Sequence, residues 1–215
     1  MAKSEHIPAP APAVRRLSLY LRQLEAFAAV DRPTVSSRDL GEALGLTDAQ
    51  IRKDLAYFGH FGRPGVGYRV TELIQRVRRI LGTDKKSDVL LVGVGNLGRA
   101  LLSYRGFAKQ GFELIAAFDK DRAIVGKTIN PGSIRVRPMS EMPKLVRAKS
   151  VRLGILSVPA PAAQDVADRM VKAGVRCILN FAPTTLHVHP GIAVSSVDLA
   201  VHLEQLSFQL MGSTT

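Results

Sequence analysis

The stretch DVLLVGVGNLGR (residues 88–99) decides the fold of the larger part of this chain. Gly93, Gly95 and Gly98 form a GxGxxG that directly follows an apolar run and opens a helical pattern. Glycine at the first position permits a tight strand-to-helix turn. At the second it lets backbone amides approach a pyrophosphate, and at the third it lets helix and strand pack closely. The triplet alone is a weak signal, but here it has the strand–turn–helix context it needs. Asp119 ends the next apolar strand, 21 residues after Gly98. That spacing suits a carboxylate on the adenosine ribose hydroxyls and favours NAD(H) over NADP(H). The neighbouring cations Lys120 and Arg122 leave tolerance of a ribose phosphate open, and a simple turn residue is the alternative reading of Asp119. The expected cofactor-binding set is Gly93, Val94, Gly95, Asn96, Leu97, Gly98 and Asp119.

Strand–helix alternation continues outward from this motif. Strands are expected at Asp88–Val94, Glu113–Asp119, Val151–Val158, Arg176–Asn180 and Ile192–Val197, with helices at Asn96–Lys109 and Ala162–Ala173. Apolar strands alternating with helices imply a parallel sheet covered by helices. A last apolar helix, Asp198 to Leu210, carries Leu199, Leu203, Leu206 and Leu210 as one stripe with Phe208 beside it. Cys177 lies inside an apolar strand and reads as a small buried hydrophobe. His187 and His189 have no flanking carboxylate, histidine or cysteine, and read as a surface loop. Asn180-Phe181-Ala182-Pro183 follows a strand at the end where open α/β sheets bind ligands; pocket lining and plain structural turn are both open there.

Upstream the pattern is different. Residues 1–14 are rich in Pro and Ala and read as an extended tail. Leu17, Tyr20, Leu21, Leu24 and Phe27 fall at helical spacing, giving a helix to about Val30. Ser36 with Asp39 is a capping-box pattern opening Ser37–Leu44, stopped by Gly45, and Thr47 with Gln50 is a second one opening a helix to Phe58. The segment GHFGRPGVGYRV (59–70) reads as a glycine-rich turn feeding a strand with Val66, Tyr68 and Val70 alternating, hence a hairpin. A fourth helix carries Leu73, Ile74, Val77, Ile80 and Leu81 and stops at Gly82, and 83–87 is a polar linker.

Three short helices and a hairpin match a winged helix-turn-helix, whose third helix enters the major groove. On that helix Ile51, Leu55 and Phe58 fall within about 60° of one another, while Ala49, Arg52, Lys53 and Ala56 face the other way. Small alanines let the backbone approach a duplex, and Arg suits bidentate contact with guanine. An amphipathic helix with a basic solvent face is the bland alternative, but the local charge argues against it. The chain carries 30 Lys+Arg against 18 Asp+Glu, a net charge of +12. Between Arg52 and Lys86 there are nine basic and three acidic residues, whereas the C-terminal excess is scattered. A concentrated basic block is the footprint of a polyanion partner. RNA is disfavoured because no aromatic stacking platform is evident.

Composition bounds the rest. At 215 residues with 46% hydrophobic and 22% charged residues, the chain has a globular balance and room for one or two domains. No apolar run approaches the roughly 18 residues of a membrane helix, and no secretory pattern is present. The one cysteine permits no internal disulfide or cysteine-based zinc site. The expected compartment is the cytoplasm. No internal repeat, metal ligand or catalytic residue is assigned.

The motifs RKDLAYFGHFGRPGVGY (52–68), GVGNLG (93–98), Asn180-Phe181-Ala182-Pro183 and Val197-Asp198-Leu199 closely resemble the redox-sensing transcriptional repressor Rex family. The resemblance runs from about residue 15 to 211, both modules in order and spacing. It implies an α/β chain: a winged helix-turn-helix domain (15–82), then a Rossmann-like parallel-sheet domain (88–197), then a C-terminal helix and tail (198–215), the helix Asp198–Leu210 being exchanged between the subunits of a homodimer. It further implies repression at an inverted-repeat operator, binding permitted by NAD+ and released by NADH. The DNA-contacting set is expected at Ser37, Gln50, Arg52, Lys53, Tyr57 and Arg63. A switch falls by position on Arg22 of the first helix, Tyr104 after the glycine motif, and Asp198 opening the swapped helix. Two rivals remain. An oxidoreductase would need more chain than the 128 residues left for a substrate domain and an acid/base group. A regulator binding coenzyme A or another nucleotide is opposed by Asp119, which suits a ribose diol, but the residues alone do not exclude it.

Overall fold

The computed structural model describes residues 9–62, 65–129 and 134–212. The chain divides into two compact units, Met1–Lys85 and Lys86–Thr215. The first holds α1 (Ala11–Ala29), β1 (Thr34–Val35), α2 (Ser37–Leu44), α3 (Asp48–Ala56), β2 (Tyr68–Arg69) and α4 (Val70–Ile80). α1 starts inside the segment expected to be a tail, with Ala13 fully buried. The prolines that suggest an extended chain are helix-start prolines: Pro10 is the N-cap and Pro12 lies in the first turn, where a missing N–H costs nothing. At α2 the capping box is complete. Ser36 N donates to Asp39 Oδ2 at 2.6 Å, and Asp39 N donates to Ser36 Oγ at 3.1 Å. Hydrogen bonds from the Ser36 hydroxyl and then its amide, with Arg32 adding, hold the Asp39 carboxyl at a pKa of about 2. Gly45 stops α2 in the left-handed region at φ 65°.

α3 departs from expectation in two respects. Thr47 Oγ1 accepts from Gln50 N at 3.2 Å, but the Gln50 side chain does not close a box; it turns inward to Asp54. The helix also stops at Ala56, leaving Phe58 in a following turn packed on the core. The wing differs more. Among the described residues β2 pairs antiparallel with β1 and not within a local hairpin, Val35 opposite Tyr68, and Val70 already belongs to α4. Gly67 makes this crossing possible. At φ 87° its backbone lies so close to β1 that a Cβ would stand 2.5 Å from the Val35 carbonyl oxygen. Leu17, Tyr20, Leu21 and Leu24 of α1 close over Val35, Leu40, Ile51, Leu55, Val70, Leu73 and Val77 to form this unit's core.

The second unit holds β3 (Ser87–Val92), α5 (Asn96–Ser103), α6 (Gly106–Lys109), β4 (Phe112–Asp119), β5 (Thr128–Ile129), β6 (Ile134–Pro138), α7 (Met142–Lys149), β7 (Leu153–Leu156), α8 (Ala160–Ala173), β8 (Cys177–Asn180), β9 (Ala193–Ser196) and α9 (Leu199–Gly212). β3 begins at Ser87, the last residue of the expected linker. The sheet order is β5-β6-β4-β3-β7-β8-β9, antiparallel only at β5–β6. Without that edge strand it is the doubly wound order 3-2-1-4-5-6. Leu90, Leu91 and Val92 are consecutively buried because the centre of the sheet is covered on both faces.

The sequence reading left 120–150 without elements, and β5, β6 and α7 lie there. It also joined α5 and α6. The break is at Tyr104, whose backbone turns extended at ψ 105° and whose ring meets Phe107 edge-on, 5.0 Å between centroids. Any side chain on Gly106 would collide with that ring. α7 and α8 cover one sheet face. The other carries an open apolar groove of 330 Å³ along Val89, Phe112, Leu153, Ile155 and Leu179. α9 starts one residue later than expected, because Asp198 is its cap: Oδ1 accepts from Ala200 N at 2.9 Å. All its described side chains are exposed. No described helix is long and apolar enough to cross a membrane.

Candidate nucleic-acid interface and nucleotide site

In the first unit α3 presents Ala49, Arg52, Lys53 and Ala56 to solvent, with Ile51 and Leu55 buried beneath. Arg52 Nη1 donates to Asp48 Oδ2 at 2.6 Å, one turn back, and reaches Ser37 Oγ at 3.3 Å across to α2. The same bond holds the Asp48 carboxyl below its ordinary range. The fold therefore brings Ser37 and Arg52 together at the start of α2 and on α3. Tyr57, the residue that caps the end of α3, is half-buried, and Gln50 spends its side-chain amide on Asp54. Arg63 lies outside the described residues. The wing's base is braced by Arg76, which stacks on Phe61 and donates to the His60 carbonyl at 2.9 Å. Because Arg52 arrives already paired with Asp48, its replacement loses only the excess of a base contact over that pair. Arg52→Ala is expected to weaken binding to a preferred duplex by about 1–2 kcal/mol and relax preference at one position per half-site. Titration at fixed salt checks this; unchanged affinity removes Arg52 from the interface.

Beneath that surface lies a group the helical wheel passes over. Asp54 is fully buried. Its Oδ2 accepts from Arg16 Nε and from the Tyr20 hydroxyl at 2.6 Å, and its Oδ1 accepts from Arg16 Nη2 at 2.8 Å and Gln50 Nε2 at 2.6 Å. Burial pushes the Asp54 pKa up, yet the bonds from Arg16, Tyr20 and Gln50 outweigh it and hold the group low. Burial first, then the adjacent carboxylate, push the Tyr20 phenol up. A signal was present in the sequence: an Asp between Ile51 and Leu55, on the apolar face, needs donors or a cation from a neighbouring element.

In the second unit the glycine turn stands at the carboxyl ends of β3, β4 and β7. Gly93 has φ 97°, and its N–H donates to the Phe118 carbonyl at 2.9 Å. Gly98 packs against the Gly93 carbonyl, leaving no room for a side chain. Ser157, at the end of β7, donates its hydroxyl to Gly93 O at 2.8 Å; it was not singled out from the sequence. Gly95, by contrast, has an ordinary φ of −72° and open space where a Cβ would be. The first-turn N–H groups of Asn96, Leu97 and Gly98 have no acceptor within α5, which makes an anion cradle. Asp119 closes the site from β4. Its Oδ2 accepts from Val94 N at 2.6 Å and its Oδ1 from Asp121 N at 2.9 Å. That carboxylate is thereby fixed beside the turn, with lone pairs left for a ribose diol. The donors, the cradle and the carboxylate are of the kind an adenine dinucleotide needs.

The remaining residues fall as follows. The Asn180 amide holds its own loop, donating to Thr184 O at 2.9 Å and accepting from Ala182 N at 2.9 Å. Gln164 brackets the backbone of His187 through two 2.9 Å bonds. Cys177 is half-buried in the wall of the apolar groove. Arg22 is exposed on α1, and Tyr104 is 58% exposed, so its ring is not a core residue of this subunit. Among the described residues, no cluster of three or more His, Cys, Asp or Glu could hold a metal ion.

Residues 7–56 match the family described as "Putative DNA-binding protein N-terminus", and 84–184 match "CoA binding domain". The redox-sensing transcriptional repressor Rex of Carboxydothermus hydrogenoformans is 49% identical over 94% of this chain and 96% of that protein. The chain belongs to the Rex family. Rex of Streptomyces coelicolor is 45% identical over 93% of the chain and 76% of its own length. The crystal structure of RSP, a Rex-family repressor, in complex with beta-NAD+ and operator DNA is 37% identical, with a TM-score of 0.90 over 95% of this chain and 93% of that one. RSP in complex with beta-NADH gives 0.85 at 35% identity, over 96% of both chains. The Rex-family relatives are named as redox-sensing transcriptional repressors.

Proposed function

We propose that this chain is a DNA-binding transcriptional repressor that senses the NADH/NAD+ ratio, binding an inverted-repeat operator as a homodimer and released by NADH. The observation that carries the reading is the likeness to RSP over both units at once, because RSP was solved with operator DNA and with either form of the coenzyme. The sites agree in chemistry. α3 offers Arg52 and Lys53, with Ser37 beside them and Tyr57 at the helix end; Gln50 and the wing's Arg63 complete the proposed set. The Gly93–Gly98 turn offers amides to a pyrophosphate, and Asp119 a carboxylate to a ribose diol. Coenzyme A carries a phosphate on that ribose, which the fixed Asp119 would repel, so the likeness to the "CoA binding domain" family is one of fold. No acid/base pair is assigned near the cradle, and a repressor of this kind works in the cytoplasm.

The dimer follows from unpaid apolar surface. α9 exposes Leu199, Leu203, Leu206, Phe208 and Met211 by 57–78%, and the sheet of the same unit leaves its groove open. A 14-residue helix with that surface is not stable alone in water. A second copy exchanging α9 covers it, and two-fold symmetry then requires half-sites about one or more helical turns apart. In the swapped arrangement Asp198 pairs with Arg22 in the DNA-binding state and with Tyr104 in the NADH state. The exposed Tyr104 hydroxyl is available for that exchange. Coupling of about 1–3 kcal/mol makes NADH lower DNA affinity by roughly 5–150-fold. The test is an operator-binding titration with NADH, NADPH and coenzyme A, on wild type and Tyr104→Phe. NADH alone should release wild-type protein, and Tyr104→Phe should bind DNA normally but respond less. Release by coenzyme A, or no release at all, rules the reading out.

A further inference from the structure

We propose that Asp54 is the positioning residue of the DNA-reading helix: clamped by Arg16 and Tyr20 of α1, it fixes the rotation of α3 about its own axis and so sets where Arg52 and Lys53 meet the base edges. The inference rests on α3 being the reading helix. Its starting point is that Asp54 and Asn180 are the two polar residues fully buried among the described residues. Asn180 serves its own loop. Asp54 instead joins two helices, 38 residues apart at Arg16 and 34 apart at Tyr20.

The apolar contacts of Ile51 and Leu55 hold α3 down, but the hydrophobic effect is non-directional. A helix resting on aliphatic side chains can roll or slide by a fraction of an ångström without losing buried area. Hydrogen bonds cannot follow it, because they weaken steeply outside a narrow range of length and angle. Here three side chains supply four hydrogen bonds to one carboxylate, and the Arg16 pair is two-pronged, which fixes the plane of the carboxylate as well as its position. Arg52 and Lys53 lie within the two residues preceding Asp54, on the far side of the same turn. A roll of α3 therefore carries their tips sideways, and base-edge contacts are as intolerant of that shift as the clamp is. Asp54 is held ionised while Arg16 and Tyr20 keep their protons, so the clamp keeps one charge state across the ordinary pH range.

A role confined to stability predicts something different. Replacing a buried ion pair by apolar side chains of similar size is often neutral or stabilising, yet such a replacement has no direction. The experiment compares wild type with the double variant Arg16→Met/Asp54→Leu. Both are offered a duplex library randomised over two half-sites, and then the motif that wild type enriches against a scrambled duplex, at several salt concentrations. The double variant should melt near the wild-type temperature and bind scrambled duplex with the same salt dependence. Its preference for the motif should fall by about tenfold or more. A stable double variant with undiminished preference overturns the proposal. Tyr20→Phe keeps the ion pair and removes one bond. It should lose severalfold in preference with scrambled-duplex binding unchanged, and it decides the matter if the double variant does not fold; unchanged preference in Tyr20→Phe then overturns the proposal. A wild-type protein that enriches no motif defeats the assignment of α3, a failure distinct from that of the clamp.

Discussion

Leu203→Glu combined with Leu206→Glu is expected to turn the proposed dimer into monomers. The two leucines are 67% and 57% exposed in the isolated subunit, so replacing them removes little from the subunit's own core. Burial in a partner is worth about 1.5–3 kcal/mol for each leucine, and two carboxylates forced into the same apolar surface add their desolvation. With both copies of α9 altered, four leucines lose their burial, about 6–12 kcal/mol, which corresponds to more than roughly ten-thousandfold in dimerisation. A monomer engages one half-site, so tight operator binding should be lost as well. Sedimentation of the double variant checks the first point and duplex titration the second. A dimer persisting at micromolar concentration, with unchanged circular dichroism, would show that α9 does not hold the subunits together.

Gly95→Ala should weaken NADH binding by roughly a hundredfold without harming the fold. Most glycine-turn substitutions cannot separate those effects. At Gly93 a side chain would meet the Ser157 carbonyl and force a left-handed φ; at Gly98 it would meet the Gly93 carbonyl. Gly95 is different, because its φ suits any residue and no protein atom lies within 4 Å of the added Cβ. The methyl would project into the cradle where the proposed pyrophosphate approaches the α5 amides, and neither side can retreat. Overpacking of such a contact costs typically 1–3 kcal/mol. We expect the upper end, roughly a hundredfold in affinity. The variant should melt like wild type and still bind DNA, but no longer be released by NADH. NADH binding at wild-type strength would move the pyrophosphate away from this turn.

The local elements were legible where one residue type has one physical meaning. Continuous apolar runs located β3 and β4, and helical stretches located α2, α4 and α8, to within a few residues, while Ser36 with Asp39 marked the start of α2. The glycine turn was equally legible, since Gly93 and Gly98 answer to backbone constraints that arise within a few residues. Prolines were the opposite case: Pro10 and Pro12 suit an extended tail and a helix start alike, and only the burial of Ala13 chose between them. The break between α5 and α6 was hidden for a similar reason. It depends on Tyr104 folding over Gly106, a contact no helical period encodes.

By itself the sequence determined a helix with Arg52 and Lys53 outward, a glycine turn after β3, and an acid at the end of β4. Each of these follows from spacing along a single element. Tertiary structure decided what those elements touch. It paired β2 with β1 through the space left by Gly67, put Ser157 of β7 on the Gly93 carbonyl, and joined Asp54 to Arg16 and Tyr20. Such contacts link residues 33 to 64 positions apart, and a hydrogen bond between two elements leaves no trace in the periodicity of either. The same holds for α9, whose apolar stripe was plain in the sequence, whereas its full exposure became visible only once the rest of the subunit was folded and had left it uncovered.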